Sequence, residues 1–141
     1  MKRKAIPVQI EARVRQAARH RCGYCLTPQW LLPLELELEH LIALALGGSN
    51  KEDDLWLSCR ACNSFKGLQI IACDPVSQRN VRLFNPRRQR WRRHFRWSQN
   101  GLHIIGKTAC GRAAVVALKL NNFFAVPARR AWVDAGWHPP T

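Results

Sequence analysis

Acidic side chains are scarce in this chain. It has 9 Asp and Glu against 23 Lys and Arg, a formal charge of +14 over 141 residues. The scarcity is uneven: no acid falls between Asp74 and Asp134, a stretch dense in arginine from Arg79 to Arg130. Such an excess predicts attraction to a polyanion, nucleic acid first. The acids crowd instead at Glu35, Glu37, Glu39, Glu52, Asp53 and Asp54. A locally acidic patch in a basic chain suits a hard cation acting on a phosphate.

Other absences narrow the reading. No run of 18 apolar residues occurs, so no membrane span is expected. The longest apolar-looking stretch, Trp30 to Leu46, is broken by Pro33, Glu35, Glu37, Glu39 and His40. The basic N-terminus lacks an apolar core and a cleavage site, so no secretory leader is expected and the chain is assigned to the cytoplasm. There is no internal repeat and no low-complexity linker. The chain is therefore divided into residues 1–70, a helix and a compact finger, and residues 71–141, a basic extension packed on it.

Against these absences stand six cysteines, four of them in two Cys-x-x-Cys pairs, Cys22/Cys25 and Cys59/Cys62. With no export signal, that spacing favours a tetrahedral zinc site over disulfides. No thioredoxin-like βαβ pattern accompanies them, which argues against redox chemistry. Cys73 and Cys110 read as small apolar residues. Between the pairs lie Glu39 and His40, and Asn63 follows Cys62 directly. A carboxylate, an imidazole and an amide in that setting suit a second metal and a general base.

The pattern predicts a helix over 7–20, with Ile10, Val14, Ala17 and Ala18 on its apolar face. Strict alternation from Leu34 to Glu39 predicts a strand with leucines inward and glutamates outward. A glycine turn at Gly47-Gly48, a second strand at Leu55-Trp56-Leu57 and a helix from the second knuckle toward Ile71 follow. Farther on, 81–84 reads as a strand. Stretches 91–97 and 102–105 read as a hairpin around Ser98-Gln99-Asn100-Gly101. Stretches 111–124 and 127–135 read as helices. The fold class is α+β.

Strand, histidine, glycine loop, strand, knuckle and helix follow one another here as in a ββα-metal finger. The chain resembles the zinc-containing branch of the HNH endonuclease family. The resemblance rests on the two CxxC pairs, Glu39-His40, Gly47-Gly48, Asp54-Leu55, Asn63 and Lys66-Gly67, and covers residues 20–68. It implies that His40 is the general base, that Glu39 and Asn63 hold a catalytic Mg or Mn, and that Cys22, Cys25, Cys59 and Cys62 hold a structural Zn. The family's middle asparagine falls at Asp54, which either orients His40 or contacts the metal; Asn50 is a second candidate for that role. Glu39 stands where the family usually has Asp. The activity implied is metal-dependent hydrolysis of DNA phosphodiester bonds, nicking or cutting a duplex to leave 5′-phosphate and 3′-hydroxyl ends.

Lys66 and the arginines Arg87, Arg88, Arg90, Arg92 and Arg93 are candidate phosphate contacts, while Trp91 and Trp97 read as core. The alternative is a zinc-knuckle protein that binds DNA or RNA without cutting. One finger cuts one strand, so a double-strand break needs a homodimer or two visits.

Overall fold

A computed structural model describes residues 5–140. Residues 1–4 and 141, at the ends of the two stretches assigned from sequence, lie outside the described residues. Helix α1 (Val8–Ala17) is followed by strands β1 (Glu37–His40) and β2 (Leu55–Ser58). Helix α2 (Arg60–Lys66) then leads into β3 (Ile71–Cys73) and β4 (Asn80–Arg82). Short helix α3 (Trp91–His94) precedes β5 (Phe95–Trp97) and β6 (Ile104–Gly106). Helices α4 (Ala109–Ala117) and α5 (Ala125–Asp134) complete the order. The strands form antiparallel pairs β1–β2, β3–β4 and β5–β6. This is a small α+β fold, and no described helix is long and apolar enough to cross a membrane.

The β1–β2 hairpin positions the site. Its register sets Glu37 opposite Ser58, Glu39 opposite Trp56 and His40 opposite Leu55. The inner surface packs through Leu55 and Leu57, both fully buried, against α1, whose Val14 is also fully buried. Burying a side chain of this size contributes roughly 1.5–3 kcal/mol.

The alternation from Leu34 to Glu39 was expected to leave glutamates outside, and the structure differs. Leu34 and Glu35 are exposed and precede the strand, while Glu39 is buried. Helix α2 covers the glutamate surface of β1, so polar partners on the helix replace water there.

Helix α2 opens on the second knuckle, where Cys59 Sγ accepts the backbone N–H of Cys62 at 3.4 Å. It stops at Gly67 (φ 52°). The helix therefore does not run on to Ile71, which begins β3. The third hairpin also differs from the sequence expectation: Trp91–His94 is a helical turn, not strand, and the strand begins at Phe95. Helix α4 ends near Leu118 and does not reach Phe124, because Lys119 turns to a positive φ of 46°. At its start Thr108 Oγ1 accepts Gly111 N–H at 3.1 Å, and a side chain at Gly111 would strike the His94 carbonyl.

One hydrophobic cluster takes in Val14, Tyr24, Leu36, Leu57, Phe84, Phe95, Ile104 and Leu118. It draws on both halves of the chain. Trp91 Nε1 donates to the Tyr24 carbonyl at 2.8 Å, fastening α3 to the first knuckle. Trp91 and Trp97 pack partly buried against this cluster.

Candidate functional site

The Sγ atoms of Cys22, Cys25, Cys59 and Cys62 all lie within 4.8 Å of one another. Cys25 and Cys59 sulfurs are 3.8 Å apart. Zinc–sulfur bonds of about 2.3 Å in a tetrahedron place sulfurs roughly 3.8 Å apart, so the donor set fits zinc. Three of the four cysteines are buried, and Cys59 is partly so. Backbone N–H groups point at the sulfurs, Tyr24 N at 3.4 Å from Cys22 Sγ and Cys62 N at 3.4 Å from Cys59 Sγ. Thr27 Oγ1 lies 3.1 Å from Cys25 Sγ. Burial pushes the Cys22 thiol well up, so a thiolate there calls for a cation, and metal uptake releases protons. Among the described residues this is the one cluster of three or more Cys, His, Asp or Glu groups able to share a metal.

The second face of the hairpin carries polar pairs. Strand period 2 puts Glu37 and Glu39 on one surface, and helix spacing puts Asn63 and Lys66 on one surface of α2. The surfaces meet. Asn63 Nδ2 donates to Glu37 Oε2 at 2.9 Å, and Lys66 Nζ lies 2.9 Å from Glu39 Oε1. The Tyr24 hydroxyl also donates to Glu39 Oε1, at 2.6 Å. Glu39 Oε2 is buried with no hydrogen-bond partner. Burial raises the Glu39 carboxyl, against the lowering effect of Lys66 and Tyr24; the same burial, with Glu39 beside it, raises the Tyr24 phenol well up.

Several sequence expectations change here. Lys66 does not present its ammonium to a phosphate: it is 4% exposed, tied to Glu39 and to the His40 and Leu41 carbonyls at 3.4 and 3.3 Å. The reason is electrostatic, since a carboxylate as buried as Glu39 demands a cation. Glu37, read as a surface charge, is half-buried and holds Asn63. The period-2 signal that placed Glu39 also placed Glu37 beside it. Tyr24 drew no attention because it lies inside a knuckle.

His40 ends β1, half-buried. Its Nε2 lies 2.6 Å from Asn50 Oδ1, so the ring is held by Asn50 and not by Asp54. Asp54 bonds the Ser49 hydroxyl, and its carbonyl accepts Leu41 N–H at 2.9 Å. It braces the loop that presents Asn50. That loop turns on Gly47 (φ 92°) and on Gly48, where a Cβ would overlap the Ile42 carbonyl.

A groove of about 320 Å³ opens over Lys66 and Leu41 and is bordered by Arg82 and Arg88. Of the arginine run, Arg88, Arg90, Arg92 and Arg93 are exposed. Arg87 is half-buried: its Nε donates to the Leu55 carbonyl at 3.1 Å, its guanidinium stands 5.0 Å from the Trp56 ring centre, and its Nη2 is buried without a partner.

Residues 22–73 match the family model described as HNH endonuclease. The matched stretch starts on the first cysteine of the cluster, takes in Glu39, His40 and Asn63, and ends in β3. Neither a curated protein nor a solved structure gives a match to the chain.

Proposed function

We propose that this protein is a metal-dependent endonuclease that hydrolyses phosphodiester bonds of double-stranded DNA. The observation that carries the proposal is the imidazole of His40, fixed by Asn50 and following in the strand a buried carboxylate with an unused oxygen. A neutral ring that donates Nε2–H to Asn50 Oδ1 offers Nδ1 as the proton acceptor. His40 then takes the proton of the attacking water, general-base work that contributes typically 10²–10⁴-fold.

Glu39, through Oε2, and Asn63 are the residues that would hold a divalent cation, Mg or Mn, whose oxygen preference they suit. Such a cation, when bound, neutralises charge on the phosphate and on the leaving oxygen. With so few protein ligands, water and phosphate oxygens would complete its shell, as magnesium prefers. Asp54, through Ser49, keeps the Asn50 loop in place. The exposed Arg88, Arg90, Arg92 and Arg93 hold the duplex by its phosphates, with Arg87 fixed beneath them. Zinc on the four cysteines braces the hairpin.

One contact favours a second reading. The Lys66 ammonium on Glu39 Oε1 already supplies positive charge where the cation would, which suits a zinc-knuckle protein that binds DNA or RNA without cutting. A nicking assay on supercoiled plasmid with Mg or Mn separates the two. Wild type is expected to nick, and His40→Ala to nick about 10²-fold or more slowly while keeping its zinc and its DNA affinity. Equal behaviour of the two proteins leaves only the binding reading.

A further inference from the structure

Away from the Glu39–Lys66 pair, residues 19–21 and 28–30, on either side of the first knuckle, and residues 136–140 line a second groove, of about 700 Å³. That is within the roughly 300–1,000 Å³ usual for ligand clefts. Two tryptophans line it, Trp30 and Trp137, packed edge to face with ring centres 5.6 Å apart. They are 64% and 52% exposed, whereas Trp91 and Trp97 pack against the core. Arg19, His20 and Arg21 border the groove, and among the described residues no acidic side chain lines it.

The platform is rigid. Trp30 sits on a 3-10 turn fixed on both sides, since Gln29 N–H donates to the His20 carbonyl at 2.8 Å and Gln29 Oε1 accepts Leu36 N–H at 2.7 Å. Trp137 is held by its neighbour His138, buried with its Nε2 2.9 Å from the Gly101 carbonyl and its ring 4.4 Å from that of Trp97. Arg19 and His20 both adopt positive φ, 55° and 53°, a conformation that costs energy in non-glycine residues and persists where surroundings impose it. Arg19 and Arg92 depress the Arg21 guanidinium after burial does, so cations are concentrated here.

Exposed indole rings held rigid beside guanidinium groups, without carboxylates, match a base and its phosphate. We propose that this groove takes an unpaired nucleobase of a single-stranded segment, stacked on the face of one indole of the Trp30–Trp137 pair with the other at its edge, and with its phosphates against Arg19. The inference rests on the nucleic-acid reading above and extends it to a strand that has left the duplex. The groove lies at the sulfur-cluster end of the β1–β2 hairpin and His40 at the other. Glu37 and His40 stand three strand steps apart, about 10 Å, so a strand in the groove reaches His40 only through a frayed end of several nucleotides.

The test is fluorescence anisotropy with a fluorescein-labelled thymidine 10-mer and, separately, a blunt duplex, in buffer without added divalent metal. Replacing both Trp30→Ala and Trp137→Ala is expected to weaken 10-mer binding on the order of tenfold or more and to leave duplex affinity within about twofold, as predicted by a stacking site that a paired base cannot enter. In unaltered protein, photocrosslinking of a 5-iodouracil 10-mer is expected to map to Trp30 or Trp137, a readout that survives any loss of folding in the variant. Crosslinks confined to other residues, or unchanged 10-mer affinity in a folded double variant, overturn the groove while leaving duplex binding intact. Concentration-dependent self-association abolished by the double variant, with 10-mer affinity unchanged, assigns the surface to a second copy instead and likewise overturns it. Wild type that binds neither probe removes the nucleic-acid reading as well.

Discussion

Lys66 shows how one residue can hold several parts of the site. Its ammonium neutralises Glu39 and also reaches two carbonyls at the end of β1. Removing it leaves a buried carboxylate unpaired, a situation that costs about 3–5 kcal/mol. Lys66→Met is therefore expected to lower stability by about that much in urea denaturation, and adding Glu39→Gln is expected to recover a large part of the loss. Additive losses in the double variant would show that the pair does not interact. At this scale the sequence was legible where residue type and spacing meet: the four cysteines fall together as their order suggested, and His40 ends the first strand. It misled where partners come from another element. An alternating strand says that Glu39 shares a surface with Glu37, but only the placement of α2 says that this surface is inside. Asn50 and Asp54 are both loop carboxamide or carboxylate candidates, and their choice depends on how the glycine turn folds back.

The elements of the C-terminal half are joined by internal charge. Asp74 follows β3 and is fully buried. It accepts Val76 and Ser77 N–H groups and a two-point contact from Arg112 of α4, 2.9 Å at each oxygen. The Arg112 guanidinium holds the Asp74 carboxyl well below its ordinary 3.8. A carboxyl depressed on folding contributes stability that is present above its ordinary value and lost as pH falls toward the folded one. Burial also lowers His94 and His138 below 6.5. A histidine whose proton affinity is lowered on folding contributes stability that is lost as pH falls through about 6.5, because the unfolded chain binds the proton first. Thermal midpoints are expected to fall in two stages, below about 6.5 and again below about 4, with the second stage shallower in Asp74→Asn at equal zinc content. Identical acid limbs in wild type and Asp74→Asn would remove the Arg112 contact from the account. Periodicity gave α1, α5, β2 and β6 nearly as found. It missed β3, whose three residues have no alternation long enough to register, and it overran α4, which ends at a positive φ on a lysine that no helix-stop residue announces.

At the scale of the whole molecule, the sulfur cluster lies inside the hydrophobic core of the described residues, with Cys22, Cys25 and Cys62 among its members. Stripping zinc is therefore expected to unfold the β5–β6 hairpin together with the finger. Hydrogen exchange at Phe95–Trp97 and Ile104–Gly106 after chelation is the measurement. Protection retained there while β1–β2 opens would mean that the two halves fold independently.

Arg129 bears on the same scale. Its guanidinium, 2% exposed, donates to the Leu102 and Leu120 carbonyls at 3.0 and 2.6 Å and stands 5.3 Å from the Trp97 ring centre. Like Lys66, it spends its charge inside. On the proposed nuclease reading, a phosphate backbone approaching this protein meets a weaker field than a tally of basic residues implies, and the salt sensitivity of that binding is expected to track only those cations that water can reach.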